Sequence, residues 1–292
     1  MKLGIANPQT ELGGSPEAMH TIVTSLEGMG FDHFVTYDHP MGAEHEGREP
    51  RLTGPYTMEH AFHDPFTLLM YAAALTTKLE LITGVLLLPE RQTVIVAKQA
   101  VDLALFSNDR FIMGVGSGWN YVEYQALGRD YRKRGRMMDE QIPLLKRLWT
   151  EKCFSHKGEV LDEHFERAGL VVMPRKPIPI WMGGWSDAQF RRAGRLGDGF
   201  LFASGGKFGD AYDAWEKIRA SLREHGRSED EFQCNLMVSD VNSSVEELAD
   251  ELKRWEDAGH QSGTIASGWR GFRSVEEHLD FCQKVAAKVR GG

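Results

Sequence analysis

Few short runs of this chain carry residue types able to do chemistry. Tyr37-Asp38-His39-Pro40 sets a carboxylate beside an imidazole, the side chain suited to moving protons near neutral pH. Such a pair can fix a ring tautomer or donate to a bound oxygen. The plainer reading is an aspartate capping a turn next to an exposed histidine. Thr83-Gly84-Val85-Leu86-Leu87-Leu88-Pro89 places a glycine inside an apolar run, where it marks either a bulge under a ligand or relief for a bulky neighbour. Gly114-Val115-Gly116-Ser117-Gly118-Trp119 offers bare backbone amides to a flat ring or a phosphate. Its likeness to a dinucleotide fingerprint fails, because Trp119 occupies the third glycine position.

Gly183-Gly184-Trp185-Ser186 precedes a helix start, since Ser186 and Gln189 have capping-box spacing. Free amides and a positive dipole end there suit an anionic phosphate, or serve only as a tight turn. Lys207, after Ser204-Gly205-Gly206, either adds a cation to that anion or is a surface lysine. His45, His60 and His63 sit in an acidic stretch, and His60 and His63 can share a helix face. Zinc-protease spacing and paired cysteines are absent, so solvated loop charge is the default and no metal is expected. No nucleophile elbow appears, which removes support for acyl transfer.

These runs need elements to position them. Short β-type runs (Leu3–Asn7, Asp32–Tyr37, Leu79–Leu86, Phe111–Gly116, Ile178–Met182, Gly199–Ala203, Phe232–Val238, Gly263–Ser267) alternate with amphipathic stretches. The latter cover Pro16–Met29, Val94–Phe106, Gly135–Trp149, Ala211–His225, Val245–Ala258 and Val275–Lys288. That alternation predicts a parallel sheet of the α/β class. It suits one closed (β/α)8 TIM barrel over residues 1–292, with insertions after strands 2 and 4 (Pro40–Asp64 and Thr150–Pro177), better than an open doubly wound sheet. In such a barrel the chemistry lies where strands end, which is where the runs above fall.

Composition narrows the function classes. Of 292 residues, 41% are apolar and 26% charged, enough for a core without disulfides or a structural metal. A net charge of −8 argues against an electrostatic grip on nucleic acid or an anionic membrane. Three separated cysteines, Cys153, Cys234 and Cys282, read as reduced thiols. No run is long and apolar enough to span a bilayer or to form a signal-peptide core, so a cytoplasmic protein is expected.

In order and spacing, the chain resembles the luciferase-like monooxygenase superfamily, most of all its deazaflavin (coenzyme F420)-dependent oxidoreductases. The runs that carry the resemblance are Gly30-Phe31-Asp32 to Asp38-His39, Thr83 to Pro89, Ala97-Lys98-Gln99 with Asp102, and Arg110 to Asn120. They continue with Arg134-Gly135-Arg136, Leu148-Trp149-Thr150, Pro179 to Gly184, and Gly197-Asp198-Gly199.

The resemblance implies a barrel holding coenzyme F420, or alternatively FMN, at its C-terminal mouth. It implies a non-prolyl cis peptide at Gly84-Val85, a phosphate cradle at Gly183 and Gly184, and His39 near the reactive ring carbon. It also implies a homodimer. Thr83, Gly116, Ser117, Trp185, Ser186 and Lys207 complete the expected cofactor contacts. Departures from the pattern are Tyr37 for a frequent serine, Trp185 for a frequent asparagine, and Ser117 for the catalytic glutamate of sugar-phosphate dehydrogenase relatives. The last speaks against a sugar phosphate as substrate.

Hydride transfer between the deazaflavin and a small organic substrate is therefore expected. His39, held by Asp38, would give or take the proton, and Trp119 and Trp185 would wall the substrate pocket. An FMN-dependent monooxygenase and a non-catalytic cofactor-binding barrel are the alternatives.

Overall fold

The computed structural model describes residues 1–203 and 208–291. In chain order the first half contains β1 (Lys2–Ala6), α1 (Pro16–Leu26), β2 (His33–Thr36), α2 (Pro65–Leu75), β3 (Glu80–Thr83), β4 (Leu86–Leu87), α3 (Thr93–Phe106), β5 (Phe111–Gly116), α4 (Tyr121–Ala126) and α5 (Arg134–Thr150). Then come β6 (Phe154–Lys157), β7 (His164–Ala168), β8 (Ile180–Gly183), α6 (Asp187–Leu196), β9 (Gly199–Ala203), α7 (Phe208–Glu224), β10 (Gln233–Val238), α8 (Val245–Asp257), β11 (Ser262–Ala266) and α9 (Val275–Arg290).

Apolar residues alternate along the barrel strands, and the two faces bury different things. On β1, Leu3 and Ile5 point outward to meet Ile22, Leu26 and other helix residues, while Ala6 faces the barrel interior. Inside, Val35, Ile82, Trp181, Leu201 and Met237 form a second, smaller core under the mouth. At the opposite end a polar knot fills the barrel: His33 Nε2 meets Thr264 Oγ1 at 2.8 Å, and Asn235 donates to Ser262 at 2.7 Å. Burial pushes the His33 imidazole down to about 3 and keeps it neutral.

Every pairing in the main sheet is parallel, in the order β3-β2-β1-β11-β10-β9-β8-β5-β4, and β3 also pairs with β5. The sheet thus closes on itself, with β3 and β4 as two halves of one stave. This is the expected (β/α)8 barrel. The expected insertions are present as well: residues 37–64 run over the mouth after β2, and residues 151–179, following α5, hold the antiparallel β6–β7 hairpin.

Three elements escaped the pattern reading. α2 is apolar almost throughout (Pro-Phe-Thr-Leu-Leu-Met-Tyr-Ala-Ala-Ala-Leu), so it shows no 3.6-residue stripe; its start is fixed by Asp64, which accepts from Thr67 N–H at 3.0 Å. α4 is too short for periodicity to reveal. The β6–β7 hairpin is mostly solvent-exposed and lacks the alternation of a half-buried strand.

Candidate active site

The third stave breaks where the sequence places Gly84. β3 ends at Thr83, the Gly84–Val85 peptide is cis, and β4 resumes at Leu86. Gly84 N–H donates to Thr36 O at 2.7 Å, so the break stays stitched to β2. Val85 projects from it across the neighbouring strand ends. A Cβ on Gly116 would lie 2.4 Å from Val85 Cγ2, and one on Gly183 would lie 2.8 Å from Val85 Cγ1. Glycine at both positions is what lets the valine lie flat there. Thr83 is corrected to a supporting role: fully buried, it spends its hydroxyl on Gly114 O at 2.8 Å and does not line the cavity.

His39 is held, but not by its neighbour. Its Nδ1 lies 3.0 and 3.3 Å from the two carboxylate oxygens of Glu123, whose side chain is fully buried. The expected Asp38–His39 pairing does not form. Asp38 accepts from Leu87 N–H at 2.9 Å and from Arg91, whose Nη2 and Nε lie 2.8 and 3.2 Å from its two oxygens. The physical reason is direction: successive residues leaving a strand point to opposite sides. Asp38 thus ties β4 and Arg91 together, and Arg91 also reaches Asp64 at 3.0 Å. With Nδ1–H directed at Glu123, the far ring nitrogen of His39 faces the cavity, which His39 lines.

At the other end of the cavity, Ser186 caps α6 by accepting Gln189 N–H at 3.2 Å. The capping box is only half made. Gln189 turns its amide back to Gly183 O at 3.0 Å, and its oxygen accepts from Arg192 at 2.6 Å. Gly184, at φ +119°, occupies backbone space that side chains rarely enter. Arg192 also donates to Gly135 O at 3.1 Å, which brings the start of α5 against α6 and puts Arg134 on the same cavity. The Arg134 guanidinium stacks 3.9 Å from the Tyr131 ring centre, with no carboxylate in ion-pair range among the described residues.

Together these residues line a cavity of about 460 Å³. Asp38, His39, Gly84, Val85, Gly116, Ser117, Trp119, Gly183, Gly184, Trp185 and Ser186, all expected from sequence, are brought together there. Trp185 is half-exposed and fixed by its Nε1, which donates to Ala203 O at 2.7 Å. Lys207 lies outside the described residues. The loop histidines act as clasps: His60 Nδ1 accepts from Thr57 N–H at 3.0 Å, and His63 Nε2 bonds Gly14 O at 2.8 Å.

Sequence reasoning missed Glu123, Arg91 and Tyr56, and gave Gln189 only a capping role and Arg134 only a place in the resemblance, with no site role for either. For Glu123 a signal existed. Asn120 caps α4 through Val122 N–H at 3.1 Å, and Glu123 stands at the capping-box position, yet its carboxylate goes to His39 instead of back to the cap. For Arg91, Arg134 and Tyr56 the placement depends on tertiary packing alone.

The fold is a (β/α)8 barrel with a cavity at the C-terminal ends of its strands, where barrels of this kind carry their chemistry. Residues 2–278 match the family model for luciferase-like monooxygenases, and the chain belongs to that family. An uncharacterised Mycobacterium tuberculosis protein is 34% identical over 198 residues, 68% of this chain and 65% of the relative, so the match spans about two-thirds of that relative's length. A glucose-6-phosphate dehydrogenase from Amycolatopsis mediterranei, described as F420-dependent, is 27% identical over 84% of this chain and 68% of its own. Among solved structures, an F420-dependent secondary alcohol dehydrogenase in complex with an F420-acetone adduct superposes with a TM-score of 0.78 at 16% identity, over 99% of each chain. Monooxygenase RslO1 from Streptomyces bottropensis gives 0.75 at 18% identity, over 100% of this chain and 99% of its own. At such identities the likeness is one of fold.

Proposed function

We propose that this chain is an oxidoreductase that uses coenzyme F420 to pass a hydride to or from a small organic substrate at the barrel mouth. The observation that carries this reading is one cavity with two unlike ends. A valine wall beside a clamped histidine suits a flat ring and proton transfer; a helix N-terminus beside an arginine that has no carboxylate partner among the described residues suits an anionic tail.

The residues present fit a deazaflavin. Gly116 and Gly183 make room for the Val85 side chain, which would back the ring, and Gly184, Ser186 and Arg134 would hold the phosphate. When bound, the cofactor supplies the hydride chemistry. The protein's work is positioning and proton handling. Glu123 holds His39 by Nδ1, so the far nitrogen holds or accepts the proton that accompanies hydride transfer. Arg91 neutralises Asp38 behind the valine, so the wall under the ring carries no net charge from that pair. Trp185 and Trp119 both wall the cavity and would limit water at a bound ring.

Relatives named as F420-dependent dehydrogenases support the deazaflavin over FMN. A homodimer in a reducing cytoplasm belongs to the same reading; the three cysteines are all unpaired. Titration of the purified protein with F420 and with FMN, followed by cofactor fluorescence, tests it. Saturable binding of F420, at least about tenfold tighter than FMN, is expected; preference for FMN would instead favour the flavin monooxygenase reading, and binding without turnover of any acceptor the non-catalytic one.

A further inference from the structure

His39, Tyr56 and Trp119 line the cavity as a cluster of rings, and Phe62 packs on His39 outside the lining. His39 packs edge-on to Phe62 with centres 4.9 Å apart, and lies 5.1 Å from Tyr56 and 5.6 Å from Trp119. The mouth loop is fitted to this cluster: a Cβ on Gly54 would sit 2.1 Å from the Trp119 ring, so only glycine lets the loop lie on it. No lysine or arginine lies over these rings among the described residues. Arg91 is taken by Asp38 and Asp64, and Arg134 stands at the α6 end over Tyr131. The loop over residues 40–64 adds five acids (Glu44, Glu46, Glu49, Glu59, Asp64) against two arginines (Arg48, Arg51). Burial raises Tyr56 to about 12, so its phenol stays neutral as well.

We propose that this aromatic end selects an uncharged substrate with a flat apolar body and one carbonyl or hydroxyl oxygen directed at His39. The assignment of the oxygen rests on the deazaflavin reading; the charge preference does not. A carboxylate or phosphate placed here would lose its hydration, find no lysine or arginine over the rings among the described residues, and sit under an acidic loop. A flat neutral ring gains stacking and edge contacts on three sides.

Acetophenone and benzoate share one ring and differ in charge, which makes them the probes. Calorimetric titration of each is run on the protein alone and on the F420-loaded protein, with glucose 6-phosphate as a third ligand. Acetophenone should bind at least about tenfold more tightly than benzoate in both forms, and than glucose 6-phosphate in the F420-loaded form, where the anion site at the start of α6 is filled. Trp119→Ala should weaken acetophenone by about tenfold while F420 affinity, measured separately, moves less than about twofold. Equal or tighter binding of benzoate in either form, or of glucose 6-phosphate to the F420-loaded protein, overturns the proposal, and so does a Trp119→Ala variant that binds acetophenone unchanged. Failure of F420 to bind, with the acetophenone preference intact, overturns the cofactor reading alone.

Discussion

At the scale of residues, a fully buried carboxylate on an imidazole nitrogen orients the ring toward the cavity. Asp38 and His39 were each legible as residues at the strand end, but the pairing expected between them does not form, and their actual partners were not legible because Glu123 and Arg91 arrive from separate elements. His39→Ala should lower turnover by on the order of 100-fold or more and also lower the melting temperature, because it leaves the buried Glu123 carboxylate without its partner; Glu123→Gln should lower turnover by about tenfold. Steady-state rates with F420 check this, and wild-type turnover in His39→Ala removes the histidine from the mechanism. A second buried acid sits close by. Glu90 has neither carboxylate oxygen hydrogen-bonded, and burial, Glu123 and Asp38 together raise it to about 9 against the pull of Arg91. Its folded value exceeds its unfolded one, so it contributes stability when protonated and that contribution is lost as pH rises toward 9. Glu90→Gln should therefore stabilise the protein by on the order of 2 kcal/mol at pH 8, with the gain vanishing near pH 4.5. Melting curves across that range read it; an equal shift at both ends would refute the assignment.

At the scale of elements, the strand break and the α6 terminus do the positioning. Both were readable because glycine leaves a mark in an apolar strand and Ser186-x-x-Gln189 leaves one at a helix start. The reading treated Leu79–Leu86 as continuous, since alternation alone does not register an interruption at Gly84-Val85. α2 and α4 were illegible for opposite reasons: one is apolar all round, the other under two turns long. Gly116→Ala tests the valine wall. Its Cβ would meet Val85 Cγ2 at 2.4 Å, so Val85 must shift, and F420 affinity should fall by about tenfold or more. Fluorescence titration measures it; unchanged affinity means the ring rests elsewhere.

At the scale of the whole molecule, closure of the parallel sheet gathers strand ends that lie far apart in sequence, so that Asp38, Val85, Ser117 and Gly184 share one cavity. The barrel was legible because strand and helix periods alternate so regularly, and because barrels confine their chemistry to one end. Which side chain of one loop meets another was not legible, since the packing of residues 37–64 over the mouth obeys no period. The most direct test of the whole account is a crystal structure with F420 bound. The ring should lie against Val85 with its reactive carbon facing the free nitrogen of His39, and the phosphate should rest on Gly184, Ser186 and Arg134. A deazaflavin bound away from that wall, or with its phosphate far from the start of α6, would contradict the account.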